Sequence, residues 1–170
     1  MNETTERALK ELQKNGYSIL PNVLSAERCD QLGDVLDRLE ERLSKEQPEL
    51  VADHFGRSLL FNAHLYQPDD LLELINIPEV MAVVHPILGE NCTLTTFNAG
   101  RSTRVPEFEG HNVHIDARIP VARFEDTFQV LVMICIDDFT EANGSTYVWP
   151  GSHTSGVNPK TQGLTEYPPE

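Results

Sequence analysis

The spacing of apolar residues changes character about halfway along the chain. In the first part the period is helical. Ala8, Leu9 and Leu12 share one face of a helix predicted over Thr5 to Asn15, and Asn15-Gly16 ends it because Gly accepts the left-handed conformation. Tyr17 to Leu20 then reads as a short strand, turned by Pro21 and Asn22. Ser25 is placed to cap the next helix, with Glu27 in its first turn. Cys29, Leu32, Leu36, Leu39 and Leu43 follow at spacings of three and four, which predicts an amphipathic helix to about Leu43, closed by Gln47-Pro48. Pro68 and Pro78 stand where prolines start helices. Leu71, Leu72 and Ile75 mark one short helix, and Val80, Met81, Val84, Ile87 and Leu88 mark another that Gly89 ends.

From Cys92 the pattern is that of strands. Cys92 to Asn98 is strand-like, and Gly100 to Gly110 is a polar loop carrying Arg101, Arg104 and Pro106. Asn112 to Asp116 predicts a short strand. Phe128 to Ile136 is apolar throughout but for Gln129, and predicts a buried strand. After the Asn143-Gly144 turn, Ser145 to Trp149 predicts another, and Asn158 to Glu170, with three prolines, reads as loop. No internal repeat or low-complexity stretch interrupts this order. One α+β domain over 1–170 is therefore expected, with a mainly helical front (1–90), a strand-rich part (91–157) and a tail (158–170).

Composition narrows the classes. No apolar run is long enough to span a bilayer, and the polar, acidic start is unlike a signal peptide. Cys29, Cys92 and Cys135 are few and far apart, which disfavours a disulfide framework or cysteine zinc site and points to a reducing, cytoplasmic setting. A net charge of −14 repels phosphate backbones and anionic bilayers, so neither nucleic acid nor membrane is an expected partner.

The candidate chemistry lies in His114-Ile115-Asp116. On a strand, residues i and i+2 point to the same side, so both side chains reach one metal ion. Imidazole plus carboxylate, with a third protein ligand, is the facial triad of non-haem Fe(II) oxygenases, and it leaves positions open for a bidentate 2-oxo acid and dioxygen. His-x-Asp alone is a weak signal. His111, three residues earlier, would face the opposite side of such a strand. His54, His64 and His85 read as surface or helix-packing residues, and Trp149 as core.

Further motifs carry a resemblance. Asn15-Gly16-Tyr17-Ser18-Ile19-Leu20-Pro21-Asn22-Val23-Leu24-Ser25, the helix from Cys29 to Leu43, His114-Ile115-Asp116, and the run Asp137-Asp138-Phe139-Thr140-Glu141-Ala142-Asn143-Gly144 followed by Trp149-Pro150-Gly151-Ser152-His153 resemble the phytanoyl-CoA dioxygenase (PhyH) family. The resemblance runs from about Ala8 to His153, and its last segment is the most specific. It implies a double-stranded β-helix (jelly roll, cupin-like) with helices packed on one sheet, incomplete at its C-terminal side. It also implies an Fe(II)/2-oxoglutarate-dependent dioxygenase that hydroxylates a small molecule, with His114 and Asp116 as metal ligands and 2-oxoglutarate as cosubstrate. By the same resemblance, Asn98 and Gln129 are candidates for contact with 2-oxoglutarate.

The family's third ligand is a histidine beyond the Pro-Gly-Ser-His segment, with an arginine near it that anchors 2-oxoglutarate. The 17 residues after His153 contain no histidine, and no arginine follows Arg123. His153 is then the candidate substitute ligand and Lys160 the candidate substitute anchor, although lysine lacks the planar fork. Arg101 and Arg104 are candidates to meet an anionic substrate. The expectation is a PhyH-type oxygenase whose chain is truncated and whose activity is in question. The alternatives are a non-catalytic relic or binding module on the same scaffold, and a cupin-like metal hydrolase using His114, Asp116 and His153. Missing strands would leave an open sheet edge for self-association or a partner chain.

Overall fold

The computed structural model describes residues 2–53, 57–102, 113–143 and 145–162. Helix α1 (Glu3–Asn15) is capped by Asn2, whose side-chain oxygen accepts the Thr5 N–H at 2.8 Å, and it ends at Gly16 in the left-handed region (φ 84°). The following run was expected as a strand. It joins no ladder among the described residues and folds back on the helix: the Arg7 guanidinium donates to the Ile19 carbonyl at 3.0 Å, and the Ser18 hydroxyl donates to Glu11 at 2.6 Å. The Ser18 hydroxyl, and after it the Arg7 guanidinium, hold the Glu11 carboxyl below its ordinary pKa.

That shift has a checkable sign. A carboxyl whose folded pKa is depressed adds stability above its unfolded pKa and loses it as the pH falls through the lowered folded value. Ser18→Ala should move the Glu11 titration, followed by NMR, upward towards the ordinary carboxylate range. An unchanged midpoint would remove Ser18 as the leading cause.

Helix α2 (Ala26–Glu46) is the spine of the core. Ser25 caps it by accepting the Arg28 N–H at 3.1 Å, and Leu32, Val35, Leu39 and Leu43 line its buried face. Two short strands follow, β1 (Val51–Asp53) and β2 (Arg57–Leu60). Next come the single turn α3 (Pro68–Leu71), a 3-10 stretch over Leu72–Asn76, and α4 (Pro78–Leu88). Strand β3 (Ala99–Ser102) completes a three-stranded antiparallel sheet of order β1-β2-β3, with Val51 opposite Leu60 and Leu60 opposite Ala99. Leu32, Leu39, Leu43, Leu60, Ala63, Leu71, Leu74 and Ile77 form one buried cluster. Among the described residues, no single helix is long and apolar enough to cross a membrane.

Polar clamps fix α2 to what surrounds it. Arg28 donates to the Glu73 carboxylate and to the Asp70 carbonyl, both at 2.8 Å, and Arg42 donates to the Tyr66 carbonyl at 2.8 Å. Arg101 on β3 pairs with Asp37 and Glu40 of α2, and Glu40 also accepts from the Ser58 hydroxyl of β2.

The structure is α+β, with a sheet smaller than the jelly roll expected for residues 91–157. The run 92–98 joins no ladder among the described residues, and pairing begins one residue later at Ala99. Segments 113–116 and 145–149 also join no ladder among the described residues. Phe128 to Ile136 is a clearer correction. It is neither laddered nor buried on both sides: Ile134 and Ile136 pack against the core cluster, while Phe128, Leu131, Val132 and Met133 are exposed. An unbroken apolar run cannot reveal whether one or two faces are covered. The expected final loop contains a 3-10 turn, Pro159–Gln162.

Candidate functional site

His114 and Asp116 do converge, although Asp116 lies in a turn and neither residue is on a ladder among the described residues. The Arg118 N–H bonds the Ile115 carbonyl at 2.9 Å, with Arg118 itself at φ 58°. His114 Nε2 and Asp116 Oδ1 lie 3.2 Å apart, with side chains 63% and 52% exposed. Two ligands at right angles on an ion, each with a bond of about 2.1 Å, sit roughly 3 Å apart. The observed separation therefore fits adjacent positions of one metal, and the exposure leaves the outer side open.

His153 is committed elsewhere. Its Nε2 lies 3.2 Å from the Gln13 carbonyl of α1. A carbonyl only accepts, so this nitrogen carries the hydrogen. Its Nδ1 is buried without a hydrogen-bond partner, and the ring packs on Gly16, where an added Cβ would meet Nδ1 at 2.7 Å. Phe124 meets the same ring edge-on at 6.3 Å between centroids. Two residues before it, the Gly151 N–H donates to the Asn15 carbonyl at 2.9 Å. The Pro150-Gly151-Ser152-His153 turn thus supplies donors to carbonyls that the end of α1 leaves without intrahelical partners. To bind a metal His153 would have to leave this lock, so the hydrolase arrangement with His153 as third ligand finds no support in its placement. Among the described residues, no group of three His, Cys, Asp or Glu side chains is arranged to hold a metal ion.

The other candidates are dispersed. Asn98 is exposed, and its side-chain oxygen accepts the Asn62 N–H at 3.2 Å, bracing a residue at φ 51°. Gln129 lies exposed on the 128–136 segment, and neither residue hydrogen-bonds to His114 or Asp116. Arg101 is taken up by α2 acids. Of the remaining histidines, His64 stacks edge-on against Phe97 at 5.1 Å and His85 is half-buried on α4; Trp149 is half-buried too. His54, Arg104, His111 and the Lys160 side chain lie outside the described residues.

The docking of the Pro-Gly-Ser-His turn on the Asn-Gly helix end was not foreseen. Both motifs stand out in the sequence, but 135 residues separate Gly16 from Gly151 and no periodicity links them. The available signal was Gly16 itself, whose missing Cβ leaves room for a neighbour.

The curated relatives include the uncharacterised protein Mb1539 of Mycobacterium bovis and the uncharacterised protein Rv1501 of Mycobacterium tuberculosis, each 26% identical over 141 residues. Each alignment covers 81% of this chain and 52% of the relative, so the chain spans about half the length of the curated relatives it matches. No solved structure matches it. The family described as phytanoyl-CoA dioxygenase (PhyH) matches residues 12–169, nearly the whole chain, and the protein belongs to that family.

Proposed function

We propose that this chain carries part of an Fe(II)/2-oxoglutarate-dependent dioxygenase centre for hydroxylating a small molecule, with His114 and Asp116 as two of the iron ligands. The observation that carries this reading is the 3.2 Å convergence of imidazole nitrogen and carboxylate oxygen at a solvent-open position. Membership of the PhyH family supports the metal and the cosubstrate, since that family belongs to the Fe(II)/2-oxoglutarate oxygenase type. When bound, iron with 2-oxoglutarate supplies the oxidising power for C–H hydroxylation. The chain's own part is to present one imidazole nitrogen donor and one carboxylate oxygen donor within reach of one ion.

The test is anaerobic Fe(II) titration of the 170-residue chain, followed by a coupled succinate assay in air. His114→Ala should weaken Fe(II) binding by about 10-fold or more, since even the outer partners of metal ligands command that scale. Equal binding by both proteins would remove the pair as the metal site. Fe(II) binding that depends on His114 without succinate formation would favour the second reading, a metal-holding module without turnover.

A further inference from the structure

The Pro150-Gly151-Ser152-His153 turn grips two parts of the chain at once. On one side it holds the end of α1, through the Gly151 N–H on the Asn15 carbonyl and the His153 Nε2–H on the Gln13 carbonyl. On the other side it holds the segment that follows Asp116. Phe124 packs edge-on against the His153 ring, with 6.3 Å between centroids and 80° between planes. Just beyond the turn, the Gly156 N–H donates to the Val121 carbonyl at 2.9 Å. Gly156 sits at φ 71°, and a Cβ there would lie 3.1 Å from the Ala122 Cβ, so the two stretches of backbone are in close contact. Both jaws are stiff. The Ser152 hydroxyl and N–H donate to the Trp149 carbonyl at 2.7 and 3.2 Å, and the Asp126 and Thr127 N–H groups donate to the Arg123 and Phe124 carbonyls at 3.1 Å each.

Little slack separates this clamp from the candidate iron ligands. Ala117, Arg118, Ile119 and Pro120 alone stand between Asp116 and Val121. Arg118 is held at φ 58° with its N–H on the Ile115 carbonyl. Pro120 has a locked φ, and its ring restricts Ile119 before it. A link so short and so constrained carries the placement of Val121 and Phe124 back to Asp116 and His114, as contiguous packed contacts do.

We propose that His153 is a positioning residue for the His114 and Asp116 pair: its ring ties the end of α1 to Phe124, and through the 117–121 link it fixes where the two donors stand. The proposal rests on the reading of His114 and Asp116 as iron ligands. It gives His153 a part in that centre without a place on the metal.

The first measurement needs no metal. Backbone 15N order parameters of Ile115 to Arg118 are read by NMR relaxation in the metal-free 170-residue chain. They should lie near about 0.85 in the unaltered protein and fall to about 0.6 or below in His153→Ala. Phe124→Ala, which cuts the clamp from its other jaw, should repeat the fall. His153→Gln keeps a long side chain with an N–H donor and should restore most of the order. Leu32→Ala, buried on α2 and outside the clamp, should leave residues 115–118 rigid. The positioning role is overturned if both alanine variants of the clamp keep these residues rigid, if Leu32→Ala loosens them equally, or if glutamine behaves as alanine does. The second measurement is anaerobic Fe(II) titration. Apparent affinity scales with the fraction of chains whose donors are in place, so His153→Ala should bind Fe(II) about tenfold more weakly if that fraction falls to about a tenth. Order lost in His153→Ala, with no Fe(II) bound even by the unaltered chain, would sink the iron reading and leave the clamp. Fe(II) binding that depends on His114 but is untouched in His153→Ala would sink the positioning role and leave the iron reading.

Discussion

Gly16→Ala should destabilise the protein by about 2–5 kcal/mol, through two costs that can be separated. The first is conformational. Gly16 sits at φ 84°, and a residue with a Cβ is strained there by about 1–2 kcal/mol. The second is steric. The new Cβ would lie 2.7 Å from His153 Nδ1 and 2.9 Å from His153 Cβ, so the ring has to be displaced from the end of α1. With the ring would go the hydrogen bond to the Gln13 carbonyl, a net loss of about 1 kcal/mol. A double-mutant cycle isolates the part due to the ring. His153→Ala removes the ring and its hydrogen bond, and in that background Gly16→Ala keeps the backbone strain and the 2.9 Å contact with the remaining Cβ. The double variant should therefore be more stable than the sum of the singles implies, with a coupling of about 1–3 kcal/mol from urea unfolding. Strict additivity would mean that the Pro-Gly-Ser-His turn does not rest on the helix end in solution.

This interlock also marks where sequence reasoning stopped. The helices of the front were legible because caps, prolines and the three-four spacing of α2 all specify one answer. The convergence of His114 with Asp116 was legible because two residues two apart are governed by local geometry. The role of His153 was not: it depends on a carbonyl 140 residues away, and a histidine near a metal motif looks the same whether it faces an ion or a helix end. Asn98 and Arg101 are hard to read for a related reason. A polar residue beside a candidate site is equally able to brace a turn at Asn62 or to tie β3 to Asp37 and Glu40. Strands were the least legible. β1 and β2, at three and four residues, are too short to display a period, while the long run 128–136 displays apolarity without saying what lies on either face.

Stability and candidate chemistry thus occupy different parts of the chain, and Leu32→Ala measures the separation. Leu32 is fully buried on α2 and belongs to the cluster that joins α2, β2, α3 and Ile77. Truncating it removes buried methyl groups and leaves a cavity lined by residues that α2 and the Arg28 and Arg42 clamps hold in place, so the site cannot collapse freely. The expected cost is about 2–5 kcal/mol. Leu131→Ala removes the same atoms from an exposed position and should cost no more than about 0.5 kcal/mol. Hydrogen exchange should divide along the same line: amides in the middle of α2 exchange only by large-scale opening, whereas those of residues 128–137, with no acceptor among the described residues, exchange near the rate of free chain. Protected amides in 128–137, or an equal cost for the two leucine truncations, would place that segment in a sheet inside the core. The strand order β1-β2-β3 would then be too short.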